Sequence, residues 1–323
     1  MPSLTRRAAA AALIALASTS ALAQDAYPNR PIRVIVNTAP GGLTDVMTRL
    51  IAQQMGEHLK QSLVIDNRAG GDGLIGIRAA KTSPADGYTL LATAGTIALQ
   101  MAVRSDPGYD LTKDFVGIGP MGRSPFLLVT APASPYKTMA EFVARAKATP
   151  DKIAFASAGL GTVPHLGTEK LFQQLGLKLQ HVPYKGNGPA MPDVMSGRVD
   201  VIFEAYGSSA GRIKGGQLRV LGVSGTSRLA ALPDVPTLAE QGAPGYSWYT
   251  WLSLTAPAGT PKDVVHKLSE ALRAAMASKA VADRFREDGM EPMSMTPDEF
   301  NQFLAREVTQ AHKTVTELNI PKQ

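Results

Sequence analysis

The chain has 323 residues, a formal net charge of +6 and no cysteine. The lack of cysteine excludes disulfides, thiolate metal sites and cysteine nucleophiles. Basic and acidic side chains are interspersed and aromatic residues make up only 6% of the chain, so nothing favours nucleic-acid binding. This length and composition are typical of an α/β protein with two domains.

The first 23 residues predict a cleavable export signal. Arg6 and Arg7 precede the apolar stretch 8–17, and Ala21-Leu22-Ala23 has the form of a cleavage site. The apolar stretch is much shorter than the roughly 20 residues of a membrane span. We therefore expect cleavage after Ala23 and an exported mature protein. The paired arginines leave general secretion and twin-arginine export both open.

Short apolar strands alternate with amphipathic helices along the rest of the chain. Strands are predicted at 32–36, 64–66, 89–92, 126–130, 153–156, 199–203, 218–223 and 249–254. Helices are predicted at 45–59, 139–148, 165–175, 264–277 and 297–318. The alternation predicts an α/β fold of parallel-rich sheets flanked by helices, in which ligands lie beyond the carboxyl ends of the strands.

Two similar segments indicate where the domains divide. Residues 127–135 and 252–261 each read as a strand followed by a proline-rich turn. If both strands cross between domains, residues 24–125 and 250–323 form a discontinuous domain 1, and residues 126–249 form domain 2. Two crossing strands would act as a hinge that closes the domains over a ligand. The alternative is that both are ordinary turns within one sheet.

A glycine-rich turn follows the first predicted strand and opens the first helix. Its sequence is Asn37-Thr38-Ala39-Pro40-Gly41-Gly42-Leu43-Thr44-Asp45. Such a turn leaves backbone N–H groups unpaired beside the positive end of the helix dipole. We interpret it as an anion cradle and, in an exported chain, as part of a capture site for a small carboxylate.

A second turn of the same construction follows the strand 153–156. It reads Ser157-Ala158-Gly159-Leu160-Gly161-Thr162-Val163-Pro164-His165 and opens the helix that runs to residue 175. Small residues let the backbone approach an anion, and hydroxyl groups add directional donors. Two facing cradles would share one ligand. The alternative is a flexible turn before an N-capped helix.

With these segments in view, the chain resembles the Bug-type periplasmic solute receptors of tripartite tricarboxylate transporters. The matching phrases occur in the family's order from Tyr27 to about Ile320. They are Tyr27-Pro28, Pro31-Ile32-Arg33, Pro40-Gly41-Gly42, Thr44-Asp45, Asn67-Arg68, residues 84–91 (PADGYTLL), 181–186 (HVPYKG), 232–237 (LPDVPT) and 256–261 (APAGTP). The resemblance implies a type II-like periplasmic-binding-protein fold with two domains, an interdomain cleft and two hinge-crossing strands.

The resemblance also implies a function and a set of ligand-binding residues. We expect a monomer without cofactor or catalysis that captures a small carboxylate through N–H groups, hydroxyls and bridging waters. It would deliver the ligand to a membrane permease of the tripartite tricarboxylate transporter type. The predicted ligand-binding residues are Thr38, Ala39, Pro40, Gly41, Gly42, Thr44, Asp45, Thr93, Gly95, Thr96, Ser157, Gly161, Thr162, Val163, His165, Glu204 and Tyr206.

The identity of the carboxylate stays open. The family's usual Pro-Phe-x-Pro is Asn37-Thr38-Ala39-Pro40 in this chain, and a frequent third glycine is Leu43. Dicarboxylates, tricarboxylates, acidic amino acids and aromatic acids all remain candidates. An acid at Glu204 would suit a ligand amine, a ligand hydroxyl or a water network, and the alternative is a solvated acid at a strand end.

Several of these residues also have structural interpretations. Asp45 is expected to cap its helix as well as to hold water near the ligand. His165 is expected to pack rather than to bind a ligand. Tyr246, Trp248, Tyr249 and Trp251 form an aromatic cluster that would serve hinge or core packing, or would line a pocket for an aromatic acid.

Two motifs resemble those of enzymes. Residues 71–76 spell G-x-G-x-x-G, but three residues separate them from the preceding strand and no acid ends a suitable second strand. Residues 207–211 spell G-x-S-x-G around Ser209, while His266 and His312 lie on predicted helices. An exported serine hydrolase using Ser209 is the alternative to the receptor, and a receptor that informs a signalling partner is another. The five histidines lack the spacing of metal ligands.

Overall fold

A computed structural model describes residues 27–323, so the predicted export signal at residues 1–23 lies outside the described part of the chain. Within that part, ten strands form one sheet and ten helices flank it. None of the described helices combines the length and apolar character that crossing a membrane requires.

The strands follow the predicted alternation with helices. They are β1 (Ile32–Val36), β2 (Leu63–Asn67), β3 (Thr89–Ala94), β4 (Phe115–Thr130), β5 (Ala154–Ser157), β6 (Gln180–Pro183), β7 (Val201–Ala205), β8 (Arg219–Val223), β9 (Tyr249–Pro257) and β10 (Glu291–Pro292). The helices are α1 (Leu43–Leu59), α2 (Leu74–Lys81), α3 (Thr96–Val103), α4 (Met139–Ala148), α5 (Val163–Leu175), α6 (Asn187–Met195), α7 (Tyr206–Lys214), α8 (Lys262–Met276), α9 (Lys279–Asp288) and α10 (Pro297–Glu317).

Parallel pairs lie at both ends of the sheet, whose main order is β2-β1-β3-β9-β4-β7-β5-β6. Strand β1 pairs in parallel with β2 and β3, and β5 pairs in parallel with β6 and β7. Within each group the parallel strands end at the same edge, although the two groups run in opposite directions. Ala94 at the end of β3 pairs with Leu252, which pairs with Gly122 of β4, and Ala205 at the end of β7 pairs with Phe126 of β4. The loops that follow the strands of both groups therefore approach the same stretch of β4 and are available to build a common site.

Strand β4 runs through both halves of the sheet. Its residues from Phe115 to Pro125 pair antiparallel with β9, and its last five, Phe126–Thr130, pair with β7 and β8. Strand β9 begins at Tyr249, which pairs with Pro125. The preceding residue, Trp248, still bonds to the other half of the sheet, because its N–H donates to the Ser224 carbonyl at 2.9 Å. The partner change at residues 125 and 126 supports the proposed domain boundaries, which stay a prediction.

The prediction of a strand only at 126–130 was wrong about its length. The earlier part of β4 contains Gly117, Gly119 and Gly122, which rank among poor strand formers. In the fold these glycines bring the backbone close to helices. A Cβ at Gly117 would lie 2.5 Å from Phe300, and one at Gly122 would lie 2.4 Å from Phe285. Register shifts next to Gly117 and Pro120 accommodate the bend.

Five helices escaped the sequence prediction: α2, α3, α6, α7 and α9. All have eight to ten residues, and most carry a helix breaker, such as Pro192 inside α6 or Gly207 in α7. Helix α3 is nearly all apolar and therefore has no amphipathic period. Tertiary packing stabilises most of these segments, whose local propensity alone would be insufficient. Helix α9 is the exception, because Ser278 caps its start and Gly289 ends it in the left-handed region, and the prediction overlooked these local signals.

Candidate ligand-binding site

The first loop, Thr38–Asp45, joins β1 to α1 and leaves the helix start without a side-chain cap. Gly42 occupies the N-cap position and has no side chain to accept the first N–H groups. Gly41 adopts a φ of +82°, which a glycine tolerates without strain. The N–H groups at the start of α1 therefore keep their donor capacity at the positive end of the helix dipole.

Asp45 organises this loop from inside. Its buried carboxylate accepts hydrogen bonds from the Gly41 N–H at 2.9 Å, from Asn67 Nδ2 at 2.9 Å and from Arg49 Nε at 3.1 Å. Burial raises the pKa of Asp45, but the bonds from Arg49, Gly41 and Asn67 outweigh that effect and lower the net pKa. Asp45 is thus a charged anchor of the loop and does not cap α1, because the N-cap residue is Gly42 and the bond goes to the Gly41 N–H before the helix.

The remaining polar atoms of the first loop are less well satisfied. Thr38 Oγ1 and the neighbouring Asn37 Oδ1 are buried, and neither has a hydrogen-bond partner among the described residues. The Thr38 carbonyl accepts a hydrogen bond from Asn67 Nδ2 at 3.1 Å. Ala39, Pro40 and Gly41 are exposed, whereas Thr44 is buried in the first turn of α1.

The second loop, Ser157–His165, joins β5 to α5 with the same backbone plan. Thr162 is the N-cap residue, and its hydroxyl donates to the Gly159 carbonyl at 2.7 Å instead of capping the helix. Gly161 has a φ of +72°, and its N–H donates to His165 Nδ1 at 3.1 Å. Ser157 Oγ lies 2.6 Å from His181 Nε2. It also donates to the Gly159 carbonyl at 3.1 Å and accepts from the Gly159 N–H at 3.2 Å.

His165 and His181 form a neutral stacked pair behind this loop. Their ring centroids are 4.0 Å apart, and Phe155 stacks on both rings. Burial, with a further contribution from His181, lowers the pKa of His165 from 6.5 to about 3. Burial likewise lowers the pKa of His181 to about 4. The geometry agrees with the expectation that His165 packs, and its neutral ring accepts the Gly161 N–H.

The turn Gly71–Gly73, which begins the G-x-G-x-x-G pattern, lies between the two loops. A Cβ at Gly73 would stand 2.6 Å from Asn37 Nδ2, just before the first loop. A Cβ at Gly159 of the second loop would stand 2.7 Å from Asp72 Oδ1. The motif therefore packs against both cradles.

The loop after β3 contacts the second loop directly. Gly95 and Thr96 open α3, and Thr96 Oγ1 accepts the Val163 N–H at 3.4 Å. The Gly95 N–H donates to the Trp251 carbonyl at 3.0 Å, and a Cβ at Gly95 would lie 3.4 Å from Val163. Thr93 is fully buried at the end of β3 and makes only a 3.5 Å contact from its hydroxyl to the Ala94 carbonyl.

Glu204 is buried at the end of β7 rather than solvated. Its carboxylate accepts hydrogen bonds from Asn187 Nδ2 at 2.8 Å, from the Ala205 N–H at 3.2 Å and from the Ser208 hydroxyl. Burial raises the pKa of Glu204, although the bonds from Ser208 and Asn187 act in the opposite direction. Asn187 Oδ1 is buried and has no partner among the described residues. Sequence reasoning did not single out Asn187 or Ser208.

Tyr206 and the aromatic cluster are held by core packing and by internal hydrogen bonds. Tyr206 belongs to the apolar core under α6 and α7. In the aromatic cluster, Tyr246 donates to the Gly167 carbonyl at 2.7 Å, Trp248 Nε1 to the Val163 carbonyl at 2.8 Å and Trp251 Nε1 to Glu307 at 2.7 Å. Trp248, Tyr249 and Trp251 line a cavity of about 120 Å³ beside α10.

Ser209 lacks the surroundings of a nucleophile. It is fully buried inside α7, and its hydroxyl donates to the Ala205 carbonyl at 2.8 Å. An α/β-hydrolase serine instead stands exposed on a sharp turn. The hydrolase alternative therefore finds no support in the fold.

An α/β fold in which glycine loops open helices at the carboxyl ends of strands agrees with that of the solved periplasmic binding proteins to which the chain is similar. Residues 47–320 match the family described as "Tripartite tricarboxylate transporter family receptor". The chain belongs to this family, and it is accordingly a solute-binding receptor and not an enzyme.

Individual relatives are similar over nearly the whole chain. Protein BugT of Bordetella pertussis is 37% identical over 286 residues, which cover 88% of each chain. The solved structure of Rpa4515 from R. palustris with adipate is 32% identical, with a TM-score of 0.88, and the match covers 92% of this chain and all of that one. MatC from Rhodopseudomonas palustris, solved with bound malate, is 28% identical with a TM-score of 0.83 and coverage of 90% and 100%.

Proposed function

We propose that the mature protein is a periplasmic receptor that captures a small organic carboxylate between its two domains. N–H groups at the starts of α1 and α5, hydroxyl groups and bridging waters bind the carboxylate. The receptor then delivers it to a membrane permease of the tripartite tricarboxylate transporter type. Of the predicted site residues, those of the two loops form the core of this proposal.

The observation that carries the proposal is the shared plan of the two loops. Gly41 and Gly161 both have positive φ values directly before the N-cap residue, and neither N-cap side chain bonds the first turn of its helix. Two helix starts without an N-cap side-chain bond favour an anion through their N–H groups and their dipoles, and at α5 the ligand would share the Val163 N–H with Thr96 Oγ1. The buried Thr38 hydroxyl, which has no partner among the described residues, would donate to a carboxylate, whereas the buried Asn37 Oδ1, an acceptor, would take a hydrogen bond from ordered water.

The surroundings of Glu204 favour a carboxylate that also carries a hydroxyl or amino group. Glu204 Oε2 and Asn187 Oδ1 are acceptors close to one another, because both belong to the Glu204–Asn187 pair bonded at 2.8 Å. A donor on the ligand would satisfy the unpartnered Asn187 oxygen, whereas a second bare carboxylate would be repelled there. The relatives solved with adipate and malate represent the two ligand types that this proposal distinguishes.

A thermal-shift screen of residues 24–323 tests the proposal. The panel holds matched pairs such as succinate with malate and aspartate, then tricarboxylates, aromatic acids and the uncharged amide of each hit. A ligand at 100 times its dissociation constant adds about 2.7 kcal/mol of apparent stability. We expect carboxylates to raise the melting temperature and their amides not to. Hits confined to uncharged compounds would refute carboxylate capture.

Delivery is tested separately by ligand uptake. Cells that lack the receptor should take up the identified acid much more slowly than cells that carry it. Unchanged uptake, with binding intact, would favour the alternative in which the receptor informs a signalling partner.

A further inference from the structure

One side chain of α3 reaches across to the second loop. Gln100 is completely buried, and its Nε2 donates to the Leu160 carbonyl at 3.1 Å. Its Oε1 accepts from Arg104 Nε at 2.7 Å. Because one end of the amide meets an acceptor and the other meets a donor, the orientation of the Gln100 side chain is fixed.

Arg104 ties this contact to the turn between β2 and α2. Its Nη2 donates to Asp72 Oδ2 at 2.6 Å, and both side chains are less than a third exposed. The resulting row, Asp72, Arg104, Gln100 and Leu160, starts in the N-terminal part of the chain and ends in the second loop. We call it the α3 clasp.

The clasp ends on the peptide unit that joins Leu160 to Gly161. The carbonyl of this unit is held by Gln100, and its N–H is held by His165 Nδ1 at 3.1 Å. Gly161 also lies against α3, since a Cβ on it would stand 2.9 Å from Val103. The orientation of this peptide therefore depends on groups from both sides of the cleft. With one of the two bonds removed, the peptide could rotate.

We propose that Gln100 is a positioning residue for ligand capture, because it orients the Leu160–Gly161 peptide and with it the donors of the second loop. Arg104 and Asp72 hold the Gln100 amide in register. This inference rests on the proposed function, since the second loop is one of the two proposed carboxylate cradles. It adds that this cradle is completed by α3, so the geometry of the loop and the affinity for the ligand depend on the same side chain.

Hydrogen exchange in the ligand-free protein tests the clasp directly. We expect Gln100→Leu and Gln100→Glu to speed exchange of the Gly161 and Val163 amides at least tenfold. Gln100→Glu keeps the acceptor for Arg104 but places an oxygen against the Leu160 carbonyl, so it separates loss of the donor from loss of packing. Gln174→Leu is the matched control, because Gln174 Nε2 also donates to a carbonyl, that of Pro244 at 2.8 Å.

Calorimetry and stopped-flow binding of the best carboxylate test the positioning role. The Gln100 variants should bind at least fivefold more weakly, mainly through faster dissociation, while Gln174→Leu binds normally. Arg104→Met, at a partly exposed position that should tolerate the change, should show a smaller loss of the same kind.

Each result decides a different point. Unchanged amide exchange in Gln100→Glu would overturn the clasp, and so would weakened binding without faster exchange. Faster exchange with unaltered affinity would overturn the positioning role. If the wild type binds no carboxylate, the proposed function fails, and the exchange experiment still decides whether α3 holds the loop.

Discussion

The two cradle loops share a backbone plan but differ in the chemistry that holds them. In each, a glycine with positive φ precedes the N-cap residue and donates its N–H to the side chain four residues later. In the first loop the acceptor is the Asp45 carboxylate, which Arg49 and Asn67 also bind. In the second it is the neutral ring of His165, which stacks on His181. Equivalent geometry is thus achieved once with charge and once without it.

The surroundings of the loops differ as well. A Cβ at Gly41 would meet no atom within 4 Å, whereas one at Gly161 would press on Val103 of α3. The first loop is anchored within its own part of the chain, while the second is completed by a distant helix. We infer that the first loop is preformed and that the second depends on its contact with α3.

Removing the charged anchor should have the largest effect. Asp45→Ala leaves the Gly41 N–H, Asn67 and Arg49 without their shared acceptor, and we expect a loss of about 3 kcal/mol in the free energy of unfolding, together with weaker ligand binding. Urea denaturation measures the loss. The control is Glu317→Ala, which removes an exposed ion pair with Lys313 and should cost at most about 0.5 kcal/mol. Equal effects of the two variants would refute the anchor role.

The next largest effect should be a difference in stability between alanine variants of the two glycines that precede the N-cap residues. Gly161→Ala adds strain at positive φ to an overlap with Val103, for an expected cost of about 2–3 kcal/mol. Gly41→Ala adds only the backbone strain, about 1 kcal/mol. Denaturation curves for the two variants give the comparison. A larger cost at Gly41 would contradict the difference in surroundings.

As the pH falls, stability should be lost through His165 of the second loop before it is lost through Asp45 of the first. The pKa of His165 is lowered from 6.5 to about 3, so the folded chain resists a proton that the unfolded chain accepts, and stability falls as the pH drops below 6.5. Between pH 7 and pH 5 this costs about 2 kcal/mol. Asp45, whose lowered pKa starts from 3.8, contributes a loss only in stronger acid.

His165→Asn tests this order, because asparagine offers an acceptor at the Nδ1 position and does not titrate. The variant should lose about 2 kcal/mol less than the wild type between pH 7 and pH 5 in urea titrations. His266→Asn, at an exposed site, should follow the wild type. The acid that faces His165 is Glu169, whose Oε1 lies 3.7 Å from His165 Nε2. Burial raises the pKa of Glu169, so its titration must be followed in the same experiment. An unchanged pH profile in His165→Asn would refute the neutral-ring interpretation.

The smallest effects should come from single hydroxyl groups. Thr162→Ala removes the bond from this hydroxyl to the Gly159 carbonyl within the second loop. We expect the loosened loop to weaken ligand binding by no more than about 1 kcal/mol, or roughly fivefold in affinity. Ser209→Ala should leave affinity unchanged, because Ser209 bonds only within α7. Calorimetry compares the two. An equal loss from Ser209→Ala would contradict the assignment of the site to the loops.

Local signals in the sequence were sufficient for much of the fold. Long amphipathic helices such as α1, α4 and α10 were predicted within two residues of their observed ends, because period and caps are encoded locally. The glycine turns before α1 and α5 were recognised for the same reason. The first part of β4, the short strands β6 and β10 and the five short helices were missed. For most of the helices and for β4, the glycines, prolines or uniform apolar character make sense only against their packing partners.

The sequence by itself therefore determined the family, the alternation of strands and helices and the two cradle loops, because ordered motifs and short-range periodicity carry that information. Only the tertiary structure decided which side chain holds each loop. Asp45 meets Asn67, His165 stacks on His181 and Gln100 meets Leu160 across separations of 16 to 60 residues. Such contacts depend on how strands align and helices pack, and no local pattern of residues specifies them.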